Sequence, residues 1–206
     1  MFRTLNKLAC TILICLGVGV LSGVAYLAYN HREAWYIPIK DYWVVAHIDA
    51  SLHQETIEYW DGRVTQVLSG DQFVMKAASG ALCSIRLTGL EAPQATNRLD
   101  QISVEDAQRS QQFLSSTVMS RDVRVAVTYR PSREVRSGMG IVFLNGTNVN
   151  QAVVESGNAR ARLEFMKGLP RHIQLGLLKA ERRARRNGSG VWTSSSSPLE
   201  VSRTAF

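Results

Sequence analysis

Between Gly62 and Gln94 the chain reads GRVTQVLSGDQFVMKAASGALCSIRLTGLEAPQ, and two Ser-Gly steps cut it into pieces too short for a stable helix. Val64–Leu68, Phe73–Lys76 and Leu82–Leu87 are β-branched or alternating runs, the pattern of short strands. Ser103-x-Glu-Asp then opens a helix in the manner of a capping box, with Ala107, Phe113, Leu114 and Val118 on its apolar side. Val123–Tyr129 alternates as a strand, Pro131–Ser137 is a polar loop, and Gly140–Leu144 runs into the hairpin signal Asn145-Gly146. Val149–Ser156 reads as a short helix stopped by Gly157, and His172–Arg186 as an amphipathic one stopped by Asn187-Gly188. Strands closed by turns, with helices after the third strand and at the end, predict a small β-barrel plus helices. The Ser-rich tail over 194–206 has no pattern.

Ahead of this domain, Leu8 to Tyr29 is a run of 22 residues without a charge. As a helix it would span about 33 Å, enough to cross a hydrocarbon core of about 30 Å. Arg3 and Lys7 precede it, whereas Arg32, Glu33, Lys40 and Asp41 follow it and cancel, which places the N-terminus on the cytoplasmic or matrix side. The segment 8–29 is therefore expected to be a transmembrane helix behind a 1–7 flank, with 30–59 as a juxtamembrane connector. A cleavable signal peptide is the competing reading, but Ala25-Tyr-Leu-Ala28 makes a poor cleavage site. Gly19 and Gly23 form a GxxxG pattern that would allow self-association through close helix packing.

The formal charge of +7 is local. Residues 158–187 hold nine Lys or Arg against Glu164 and Glu181, so the remainder is neutral. Lys179, Arg182, Arg183, Arg185 and Arg186 could grip phosphates of nucleic acid or anionic lipid. A solvated helix face is the bland alternative, and no interleaved aromatic set stands beside these arginines in the sequence. The cysteines are Cys10, Cys15 and Cys83, of which one alone lies in the soluble part, so no disulfide forms within that domain. There is no CxxC and no His/Cys cluster at zinc spacing.

Chemistry concentrates where the strands turn. Asp71 sits on a Gly-Asp turn, and Arg86-Leu-x-Gly-Leu-Glu91-Ala-Pro presents a cation and a carboxylate near a proline-marked bend. This is the layout of a metal-assisted phosphodiester site, except that Gln94 stands where a basic carboxylate would be wanted. In the structural alternative, Asp71 only holds its turn and Arg86 pairs with Glu91 as a partly exposed salt bridge.

SGDQF, IRLTGLEAPQ, FLNGTNVNQAVVESGNA and LLKAERRARRNGSGVW, in that order, resemble the staphylococcal-nuclease-like (thermonuclease-like) domain over about residues 60–193. The resemblance implies an α+β fold, an OB-type five-stranded β-barrel with helices, here preceded by one transmembrane helix. It also implies a calcium ion held by Asp71, Glu91 and the carbonyl of Ala92, with Arg86 gripping phosphate. Two departures argue against turnover. The family's water-activating glutamate is Gln94, which can orient a water but cannot take its proton. The second arginine of the family falls at Ser137, with Arg136 one residue out of register and so on the opposite face of a strand.

The anchor, Lys167-Gly168-Leu169, Leu178–Glu181 and Gly190-Val-Trp192 further resemble a metazoan group of membrane-anchored, degenerate nuclease-like proteins, the inner-membrane subdomain organisers of mitochondria. The resemblance implies a binding or organising module at the mitochondrial inner membrane, its soluble domain facing the intermembrane space. Another membrane, with the domain on its non-cytoplasmic side, is the alternative location. Its partners would be the membrane, itself, other membrane proteins or anionic lipid. The competing expectations are a calcium-dependent phosphodiesterase acting on DNA or RNA and a structural subunit of a larger membrane complex.

Overall fold

The structure, a computed structural model, describes residues 40–46, 58–94, 104–131 and 136–193, together with six isolated positions between 20 and 29. The chain forms two compact units, Met1–Val44 and Val45–Phe206. In the first, Val20, Val24, Tyr26, Leu27 and Tyr29 are helical and each is more than half exposed. Among the described residues no helix is long and apolar enough to cross a membrane. Most of the expected 8–29 span, Gly19 and Gly23 included, lies outside them. Residues 40–46, within the expected 30–59 connector, are helical.

The second unit is the barrel. Strands β1 (Glu58–Ser69), β2 (Gln72–Ala77) and β3 (Leu82–Leu87) form an antiparallel meander. After β4 (Leu90–Glu91) and helix α1 (Val104–Val118) come β5 (Asp122–Tyr129), β6 (Ser137–Leu144) and β7 (Thr147–Asn148). The sheet order is β3-β2-β1-β5-β6-β7, and β3 also pairs with β6, which closes five long strands into a barrel. The closing pair is parallel, with Ser84 opposite Ser137 and Arg86 opposite Met139. It starts β6 at Ser137, three residues before the expected Gly140, because β3 supplies a partner that the local sequence does not contain.

β1 also begins earlier than the Val64 expected from hydropathy. Its first half carries Asp61 and Arg63, which face Arg124 and Asp122 directly across β5. Arg124 donates to Asp61 at 2.8 and 3.2 Å and Arg63 to Asp122 at 3.0 and 2.8 Å, so cross-strand ion pairs match the polar half of this strand to β5 in register. The hydrogen bonds from the guanidinium groups hold both carboxyls below the ordinary carboxylate range.

The interior is filled by Val64, Phe73, Met75, Ile85, Leu87, Val125 and Val142. Helix α1 covers one side with Asp106, Ser110, Leu114 and Val118, a row at i, i+4 spacing. Ala107 and Phe113, expected on this face, flank it half-buried instead. The two polar members belong there because each is satisfied: the Ser110 hydroxyl donates to the Asn158 carbonyl at 2.6 Å, and Asp106 pairs with Arg109 at 2.8 Å.

Helix α2 (Val149–Glu155) is capped by Asn148, whose side chain accepts from the Gln151 N–H. Strand β8 (Arg160–Ala161), a tight turn over Leu163–Met166 and helix α3 (Arg171–Arg186) follow. The turn Gly190–Trp192 after α3 returns to Gly157, whose carbonyl accepts from the Val191 N–H at 2.9 Å. A Cβ on either Gly157 or Gly190 would fall 2.1 Å from backbone oxygen of the other segment, so this contact admits only glycine.

Candidate functional site

Asn150 organises the end of the barrel where the candidate residues gather. It is buried, accepts from the Val142 N–H at 2.9 Å, and donates to the carbonyls of Thr88 at 2.9 Å and Gly140 at 3.1 Å. One side chain thus ties β6 and α2 to the Thr88-Gly89 turn. Gly89 takes φ +79° there, and a Cβ would lie 2.6 Å from Leu177 Cδ1 on α3. The Thr88 hydroxyl donates to the Phe165 carbonyl at 3.0 Å and the Gly89 carbonyl accepts from the Arg162 N–H at 3.1 Å. β4 leaves this turn already committed to β8, with Leu90 opposite Ala161 and Glu91 opposite Arg160.

Asp71, on the β1–β2 turn, is sealed from solvent, and its carbonyl accepts from the Leu87 N–H at 2.8 Å. Its carboxylate accepts from the Ser69 hydroxyl at 2.6 Å and, through Oδ2, from Arg86 Nε at 3.1 Å and Nη2 at 3.0 Å. The expected Arg86–Glu91 pair is replaced by this one, because the antiparallel register sets Arg86 opposite Gln72, next to Asp71. Glu91 is held instead by Arg162, whose Nε lies 2.6 Å from Glu91 Oε2. Ala92 and Pro93 are buried and Gln94 is exposed. Arg136 is exposed and just outside β6, its carbonyl accepting from the Ser84 N–H, while Ser137 starts the strand half-buried.

A calcium ion needs several oxygen donors free to converge on it. Among the described residues no group of three or more His, Cys, Asp or Glu could hold a metal. The two carboxylates nominated for that task, Asp71 and Glu91, each already accept hydrogen bonds from a guanidinium. In this arrangement both carboxylates are taken up by arginine, and neither is free to take a calcium ion.

The basic helix is partly spent on internal contacts. Arg183 pairs with Glu155 at 2.8 Å and Arg185 with Glu181 at 3.4 Å. Arg182 and Arg186 also have interactions, and Lys179 is exposed. One aromatic ring stands beside Arg185 of this helix. The Gly190–Trp192 turn sets Trp192 with the Arg185 guanidinium 4.0 Å and the Arg160 guanidinium 5.0 Å from its ring centroid.

The family model described as staphylococcal nuclease homologue matches residues 84–194. The chain belongs to that family. Among curated proteins, none matches it. The matched segment of this staphylococcal nuclease homologue begins within β3 and contains Arg86, Glu91, Ala92, Gln94, Arg136 and the basic helix. Asp71 lies before it. Sequence reasoning missed Asn150 and Arg162 as parts of this region. The alternation Arg160-Ala-Arg162 after Gly157 was a usable signal for a short strand carrying two cations, and Asn150, following a capping Asn148, carried none.

Proposed function

We propose that the chain is a single-pass membrane protein whose nuclease-like barrel is catalytically inactive and serves in binding or organisation at the mitochondrial inner membrane, with the barrel in the intermembrane space. One observation carries the loss of activity. Asp71 and Glu91 are each engaged by an arginine, Arg86 and Arg162, and the position that the resemblance gives to the general base is the exposed amide Gln94. General-base assistance contributes about 10²–10⁴ in rate, and an amide supplies none of it. The charge-free run 8–29 and the exposed apolar side chains of Val20, Val24 and Leu27 support the membrane anchor. The resemblance to the mitochondrial organiser group supports the location. The partners in this reading are other membrane proteins, anionic lipid, or a second copy through Gly19 and Gly23.

The test is hydrolysis of single-stranded DNA and RNA by the purified full chain, with and without calcium. No cleavage above background is expected. Cleavage that disappears in Asp71→Ala would overturn the reading and favour a calcium-dependent phosphodiesterase, which membership of a nuclease family and the retained Arg86 favour. Crosslinking in mitochondrial membranes then identifies whether the contacts are to self, to lipid or to other proteins.

A further inference from the structure

We infer that Arg162 is the residue that excludes a divalent cation from this site, by occupying Glu91 in the cation's place. The inference rests on the inactive reading above and explains how the scaffold enforces it. An exposed ion pair between two long side chains is ordinarily a weak and replaceable contact. The Arg162–Glu91 pair differs because the backbone on both sides is fixed before the side chains meet. β4 and β8 pair through Leu90–Ala161 and Glu91–Arg160, the Arg162 N–H is bonded to the Gly89 carbonyl, and Thr88 ties the following turn at Phe165. Arg160, two residues before, lies over the Trp192 ring, a further contact that holds β8 in place. The guanidinium of Arg162 is thereby delivered to Glu91 Oε2 through both Nε and Nη2.

Asp71 and Arg162 belong to one neighbourhood. Their backbones are bonded to Leu87 and Gly89, two residues apart on a chain that spans at most ~7 Å over that distance. The cation that the resemblance implies would need both Asp71 and Glu91, and each of them already accepts from a guanidinium of the cation's own sign. Arg86 is expected in a phosphate-binding scaffold. Arg162 has no place in the four motifs on which the family resemblance stands, and it is the group that converts Glu91 from a free ligand into a satisfied one.

The experiment is equilibrium dialysis of the purified full chain, in detergent, against radioactive calcium. The native chain should show no saturable uptake below about 1 mM, the weak end of protein calcium sites. Arg162→Ala should gain one saturable site at least tenfold tighter, and Arg162→Ala combined with Glu91→Gln should lose it again. Arg162→Lys, which keeps the charge, should stay close to the native chain. Should Arg162→Ala fail to fold, as judged by its unfolding transition, Arg162→Gln retains most of the side-chain volume and carries the same comparison. Native uptake at Glu91 equal to that of Arg162→Ala, or a gained site that survives Glu91→Gln, overturns the proposal. Nucleic-acid hydrolysis is measured on the same preparations. Cleavage by the native chain would sink the inactive reading without restoring a cation site, whereas native calcium uptake without cleavage would sink the exclusion and leave the inactive reading standing.

Discussion

The same chemistry, arginine bonded to aspartate, joins barrel strands in two settings with opposite consequences. On the outer face of β1 and β5, Arg63–Asp122 and Arg124–Asp61 have every side chain more than half exposed. At the β1–β2 turn Asp71 is sealed, while Arg86 reaches it from a side chain that is 39% exposed. Water solvates either partner of the outer pairs when the other leaves, so those pairs select a register more than they stabilise a fold. Asp71 has no such recourse, since its alternative to Arg86 is a buried charge with one hydroxyl donor. Burial, and not the identity of the partners, decides what each pair does.

A buried polar group without charge gives the upper mark for that comparison. Asn150→Ala strands the Val142 N–H and the Thr88 carbonyl, and should lower stability by about 3 kcal/mol in urea denaturation. Arg86→Ala should follow at about 2–3 kcal/mol, reduced from the value for a fully buried pair by the exposure of the guanidinium. Adding Asp71→Asn to Arg86→Ala should recover much of that loss, because it removes the stranded charge. If Arg86→Ala costs no more than Arg124→Ala, the contrast between the two sets fails.

The outer pairs should give the smallest effects. Arg124→Ala or Arg63→Ala should barely move the unfolding midpoint, and what shift there is should shrink as salt is raised to 1 M. Their pH signature has a definite sign. The arginine hydrogen bonds hold the Asp61 and Asp122 carboxyls below the ordinary carboxylate range in the folded chain. A depressed carboxyl contributes stability that is fully present above its unfolded value and disappears as pH falls through its folded value. The double variant Asp61→Asn with Asp122→Asn should therefore match the native chain more closely below pH 4 than at pH 7, as followed by thermal unfolding across that range.

What could be read from the sequence was what local pattern determines. The five barrel strands all announced themselves in apolar or alternating runs, and α2 and α3 in periodicity and their stop signals. The first half of β1 did not, because Asp61, Gly62 and Arg63 look like a loop until Arg124 and Asp122 are supplied from about sixty residues away. The first half of the buried row of α1 escaped for a related reason, whereas Leu114 and Val118 were on the expected apolar side. Asp106 and Ser110 are polar, and only the Arg109 and Asn158 contacts make their burial acceptable. At the site, Asp71, Arg86 and Glu91 could be nominated from type and spacing, but their partners could not. Arg86 goes to Asp71 through the β2–β3 register, and Glu91 goes to Arg162 through a two-residue strand pair that no periodicity signals.

The closure of the barrel has a kinetic consequence. β1 must wait for β5, its partner some sixty residues later, and β3 for β6, more than fifty residues later. The first pairing cannot form on a ribosome until the chain through β5 has emerged, nor the second until β6 has, and long loops must then be closed before those contacts reward the ordering. Until then β1, β2 and β3 are a three-stranded meander with two unpaired edges, the form in which strands seek other chains.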